Sequence, residues 1–131
     1  MLFRSMPKHE TVRHLVERGL VDKKKFLIFS MYDESFEIIR RELVEHQIDF
    51  VEISGSKATR DNKIKKFKEG KVNVVFLNSR FNGAGINLEQ ATDIILYHEM
   101  PSSIREQVIG RALRIGREGD LNVHNLVFKG S

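Results

Sequence analysis

Gln107, Arg111 and Arg114 lie at i, i+4 and i+7, a spacing that stacks side chains on one face of a helix. Around them, Ile104, Val108, Ile109, Ala112, Leu113 and Ile115 occupy most of the remaining circumference. A helix that apolar is largely buried, so its two arginines emerge at one defined place. A guanidinium is permanently charged and offers five donors in a planar fork, which matches the equatorial oxygens of a phosphoryl group. The chemistry this permits is that of an arginine finger, stabilising charge while a phosphoryl group is transferred. The same run also reads as a core helix whose arginines make structural ion pairs, and a short motif alone does not decide between the two.

The elements that must position these residues alternate along the chain. Residues 26–29, 50–53, 72–77, 94–97 and 123–128 are apolar, β-branched runs with few polar interruptions, the pattern of strands covered on both faces. Helical patterns separate them. Residues 8–18 follow Pro7 and close at Gly19; residues 33–46 carry Phe36, Ile39, Leu43 and Val44 on one side; residues 59–69 close at Gly70, a candidate C′ glycine. Ser103 and Glu106 have the spacing of a capping box that opens the arginine helix. Strand and helix in strict turn predict an α/β domain, a parallel sheet of about five strands flanked by helices.

In open parallel sheets, ligands gather at the carboxyl ends of the strands, and that edge is where the unusual residues fall. Ser30 follows the first strand, and Ser54-Gly55-Ser56 follows the second. After the third strand comes the long loop from Asn78 through Ser79, Arg80, Gly83 and Gly85 to Asn87 and Leu88. Small hydroxyls and exposed amides at loop-to-helix junctions suit phosphate contact. For Ser54–Ser56 alone, ordinary turn chemistry explains the residues better than phosphate contact does. The third loop is too long and glycine-rich for a minimal turn.

Composition bounds the function. With 131 residues, 40% of them hydrophobic, the chain is expected to form a single domain over residues 1–131. No apolar run approaches transmembrane length and no secretory signal opens the sequence, so no membrane partner and an intracellular setting are expected. The absence of cysteine rules out disulfides and thiolate metal sites, and no metal ligand set is expected. A formal charge of +4 fits a polyanionic partner, but a lysine-rich solvated surface gives the same number and by itself explains it better. No G-x-x-x-x-G-K-[ST] phosphate loop occurs. Asp33-Glu34-Ser35-Phe36 imitates a magnesium-binding D-E-x-x string, but Asp33 occupies a helix N-cap position. His98-Glu99 lacks the second histidine of a zincin.

Taken in order, these blocks resemble the second, C-terminal RecA-like lobe of superfamily-two helicases and translocases, and the resemblance looks closest to the Swi/Snf-type DNA-dependent ATPases. Lys24-Lys25-Phe26-Leu27-Ile28-Phe29-Ser30 resembles the family's motif IV strand. Glu52-Ile53-Ser54-Gly55-Ser56 with Arg60 and Ile64-Lys65-Lys66-Phe67 resembles its G-S, R, I-x-x-F block. Leu77-Asn78-Ser79-Arg80 with Gly83-Ala84-Gly85-Ile86-Asn87-Leu88 resembles motif V, and Gln107-x-x-Gly110-Arg111-x-x-Arg114-Ile115-Gly116 resembles motif VI. The resemblance covers residues 8–128. The chain departs from it at Asn82, where remodellers usually have glycine, at His98-Glu99-Met100-Pro101, and at Arg117.

The resemblance implies that ATP lies in a cleft between this lobe and an N-terminal RecA-like lobe that brings the phosphate loop and Mg2+. It implies Arg114 as the finger, Arg111 as its companion, and Gln107 as a sensor of the γ-phosphate or the opposite lobe. Gly85 and Asn87 would line the nucleotide, while Ser30, Ser56, Ser79 and Arg80 would touch the backbone of nucleic acid, duplex DNA in this branch. Without phosphate loop or magnesium carboxylate, the isolated chain is expected to be inactive as an ATPase. The alternative is a stand-alone nucleic-acid-binding or regulatory module with no ATPase role. A dinucleotide-binding domain fails for want of a third glycine and a glycine turn after the first strand.

Overall fold

Three strands buried along their whole length between two edge strands need a helical layer on each face, and the chain builds both. The computed structural model describes residues 7–30, 32–53, 55–78, 91–97, 102, 103, 106 and 121–126. Its elements are α1 (Lys8–Val21), β1 (Phe26–Ser30), α2 (Asp33–Glu45), β2 (Val51–Glu52), α3 (Lys57–Lys68), β3 (Val74–Asn78), β4 (Asp93–Leu96) and β5 (Asn122–Asn125). The strands form one parallel sheet in the order β2-β3-β1-β4-β5.

The period-two alternation of β1 divides the core. Phe26 and Ile28 join Val12, Val16, Ile39 and Leu43 beneath α1 and α2. Leu27 and Phe29 join Ile64 and Phe67 beneath α3. Every residue of β1, β3 and β4 is buried, which is why these runs lack polar interruptions. The edges are different. β2 shrinks to two half-buried residues, against the four expected, and β5 is mostly exposed or half-buried. A strand paired on one side needs fewer apolar residues and blunts its free edge by being short.

α1, α2 and α3 end in the same way. In α3, Gly70 adopts φ +78°, with Gly70 N–H donating to Phe67 O (3.2 Å) and Lys71 N–H to Lys66 O (3.0 Å), a Schellman pair around the C′ glycine expected there. In α1 the equivalent residue is Lys23, at φ 60°, and in α2 it is Gln47, at φ 58°. Gly19 therefore does not close α1 as expected: the helix runs on to Val21, with Gly19 buried inside it. The physical reason is the ring of Phe26. A Cβ on Gly19 would stand 2.3 Å from Phe26 Cζ, so this glycine permits close approach rather than a left-handed turn.

Gly19→Ala should accordingly destabilise the fold. Helix propensity alone would favour alanine by about 1 kcal/mol, but overpacking against a fully buried ring costs about 1–3 kcal/mol. Urea unfolding should show a lower midpoint at unchanged slope. A raised midpoint would mean that the ring yields freely and that the close approach has no energetic weight.

One cap and one helix start also move. α2 begins at Asp33, as the 33–46 pattern predicts, but Tyr32 rather than Asp33 takes the N-cap position. α3 begins at Lys57, two residues before the expected start, because Ser56 Oγ accepts from Thr59 N–H (3.3 Å) and caps it. Ser102, Ser103 and Glu106 are exposed and helical, so that helix has already started at the position expected to cap it.

Candidate nucleotide and nucleic-acid edge

The carboxyl ends of β1 and β3 are held side by side by the register, in which Ser30 pairs with Asn78. Both residues are buried. Ser30 Oγ accepts from Tyr32 N–H (3.1 Å) and lies 3.3 Å from Tyr32 O, so its hydroxyl shapes the turn that starts α2. Ser30 is 0% exposed, so a phosphate contacts this hydroxyl only if the turn after β1 opens. β2 ends beside β3 and leads through Gly55, at φ +86°, to Ser56. Ser56 is exposed and its Oγ lies 3.1 Å from Thr59 Oγ1. Of the residues assigned from the sequence, the structure therefore places Ser30 and Ser56 at this edge, on strand ends separated by β3. Ser79, Arg80, Gly85, Asn87, Gln107, Arg111 and Arg114 lie outside the described residues. Asn78, the residue before Ser79 in the sequence, ends β3 at this same edge.

Sequence reasoning passed over two residues here. Tyr97 follows β4 and is buried, its N–H donating to Phe29 O (3.1 Å). Lys8, at the start of α1, donates to Tyr97 O (3.2 Å) and stands 5.5 Å over the Tyr97 ring. Burial pushes the Tyr97 phenol up and the Lys8 ammonium down from their ordinary values. No short-range signal joins residues 89 positions apart. Only the antiparallel course of α1 over the sheet brings them together. On the β2 side, Lys63 Nζ donates to Glu52 O (2.7 Å), which adds a cation to the edge.

The opposite end of the sheet is built differently. Asp93 is 2% exposed, and its two oxygens lie 2.7 Å from Thr92 Oγ1 and 2.8 Å from His124 Nε2. Thr92 Oγ1 also accepts from Lys25 N–H (2.9 Å). This chain of contacts bolts β5 to β4 and β4 to the start of β1, beside a cavity of about 260 Å3 that Arg18, Asp22 and Lys24 also line. Both carboxylate oxygens are already engaged, so the arrangement is structural. On the α1–α2 seam, Arg13 binds Glu42 and also Glu17 (2.8 Å). The bond to Glu42 is the main reason its guanidinium is held above the ordinary value. Glu42, Glu45 and His46 cluster there, with Arg13 already neutralising Glu42.

The family model of the helicase conserved C-terminal domain matches residues 7–116. The chain belongs to that family. Among relatives of this helicase C-terminal domain, a protein of Acanthamoeba polyphaga mimivirus named as a helicase is 40% identical over 78% of the chain. The ATP-dependent helicase Fun30 of Saccharomyces cerevisiae is 31% identical over 95% of it. The domain spans 12% and 11% of those two proteins. The crystal structure of the C-terminal part of the Fun30 ATPase domain superposes with a TM-score of 0.87 at 27% identity, covering 98% of this chain and 43% of that one. The Pyrococcus furiosus Hef helicase domain gives 0.71 at 25%, covering 96% and 27%. The helicase C-terminal domain is thus RecA-like and of superfamily-two type, and its relatives place it in the Swi/Snf branch.

Proposed function

We propose that the domain is the second lobe of an ATP-dependent nucleic-acid translocase or helicase. The observation that carries this reading is the arrangement of strand ends. Ser30, Asn78 and the Gly55-Ser56 turn come together at one carboxyl edge of a parallel sheet, and the sequence continues from that edge into Ser79 and Arg80. ATP binds between this edge and an N-terminal lobe that holds the phosphate loop and Mg2+. Arg114 reaches the transferring phosphoryl group, Arg111 supports it, and Gln107 senses the γ-phosphate. Gly85 and Asn87 line the nucleotide side. Ser30, Ser56, Ser79 and Arg80 contact phosphates of duplex DNA, which position the strand without reading its sequence. Opening and closing of the cleft shifts the two lobes' grips relative to each other, and the setting is intracellular.

The nucleic-acid half of this reading is tested by Ser79→Ala combined with Arg80→Ala. Duplex binding by the chain should weaken, and the plot of log affinity against log salt should become shallower by about 1, since one phosphate-neutralising charge is lost. Unchanged affinity and slope would remove these two residues from the interface.

A further inference from the structure

Residues 57–71 contain seven of the 22 lysines and arginines but only two of the 18 carboxylates. Their net charge is +5, against +4 for the whole chain, so the rest of the molecule is nearly neutral at −1. The excess charge from which a polyanionic partner was read is therefore concentrated on α3 and its cap. The structure shows why the helix can carry it. Among its residues only Ile64 and Phe67 are buried against the sheet, leaving most of the circumference to solvent. Lys63 is engaged at Glu52 O, and Lys71 lies 3.6 Å from Glu69. Lys65, Lys66 and Lys68 are exposed and, among the described residues, make no ion pair. They crowd three positive charges into the last turn. The helix dipole there favours cations, which allows them to be close without a carboxylate between them.

We infer that the last turn of α3 is a second polyanion contact, and that its partner is the phosphate backbone of a DNA duplex. Ser56 marks the start of the helix at the carboxyl edge, and α3 then runs away from that edge for its 12 residues, about 18 Å at the usual rise. Lys65, Lys66 and Lys68 therefore sit well away from the strand ends that grip the translocated strand. Three charges within about one turn match a duplex, which presents a phosphate charge every ~1.7 Å of its axis, better than they match one extended strand. The side chains are long, flexible point charges, suited to sequence-independent contact that follows the backbone as it moves. The inference rests on the reading of the domain as a nucleic-acid motor lobe and adds a grip separate from the residues assigned there.

The test compares the chain with a K65Q/K66Q/K68Q variant, all three positions being exposed and outside the proposed catalytic and binding residues. Binding to a 30-base-pair duplex of unspecified sequence is followed from about 50 to 200 mM salt, with thermal unfolding as a check on folding. The variant should keep its melting temperature, lose at least about tenfold in affinity at the lowest salt, and show a log–log slope shallower by about 2–3. Unchanged affinity and slope in a folded variant, with the Ser79/Arg80 variant still weakened, would overturn the α3 contact while leaving the motor-lobe reading intact. The reverse pattern would remove Ser79 and Arg80 and keep α3. Equal binding of poly-glutamate, with the same dependence on the three lysines, would overturn the assignment to DNA in favour of an acidic protein partner.

Discussion

In the protein that joins this domain to its N-terminal lobe, Arg114→Ala should lower ATP turnover by about a thousandfold or more, with ATP affinity and folding nearly unchanged. A finger acts on charge that develops as the γ-phosphoryl group departs, so its removal raises the barrier without weakening the ground-state complex. Arg114→Lys should fail to restore the rate, because an ammonium cannot bridge two oxygens as a planar fork does. Arg114 as a mere core ion pair leads to a different result: its loss would strand a buried partner and cost about 3–5 kcal/mol of stability. Turnover per folded molecule would then survive. Kinetics measured beside thermal unfolding separate the two, and preserved turnover with a large fall in melting temperature would end the finger assignment.

The sequence made the sheet legible because burial on both faces leaves an unmistakable trace. The runs around Leu27, Val75 and Ile94 became β1, β3 and β4, and each is buried throughout. The edges were less legible, since β2 and β5 are specified by pairing to one neighbour rather than by their own composition. Gly19 shows a second limit. A glycine late in a helix serves either a left-handed exit or a close approach, and which one depends on a ring seven residues on that must first fold back beneath it. At Gly70 the first use applied, and the expectation held. Ser56 shows a third: its hydroxyl is a plausible phosphate ligand by type, but the local backbone claims it as a helix cap. Such capping is compatible with an exposed anion contact at the same turn, and it is the capping that the residue type alone did not reveal. The Lys8–Tyr97 contact was invisible for a different reason, because neither residue carries a motif and only the fold makes them neighbours.

Phe76→Ala should be the most damaging change to the core among these strands. Phe76 is 1% exposed, and its ring is stacked on both sides: Phe36 of α2 at 5.2 Å and Phe50, just before β2, at 4.7 Å between centroids. Truncation removes the buried ring, forfeits both stacked pairs and leaves a cavity, costing about 3–5 kcal/mol in all. For a domain whose whole stability is about 5–15 kcal/mol, that is enough to leave a large unfolded population near physiological temperature. Phe76→Leu should recover much of the loss by refilling the volume while losing the stacking, which isolates the aromatic contribution. The functional consequence follows from register. Phe76 pairs with Ile28 of β1 and Glu52 of β2, two residues before Asn78, so loosening it should free the strand end that delivers Ser79 and Arg80. Duplex binding should thus fall more steeply with temperature in Phe76→Leu than in the parent. If Phe76→Leu bound and unfolded like the parent, stacking would carry no weight and the edge would be held by the backbone ladder alone.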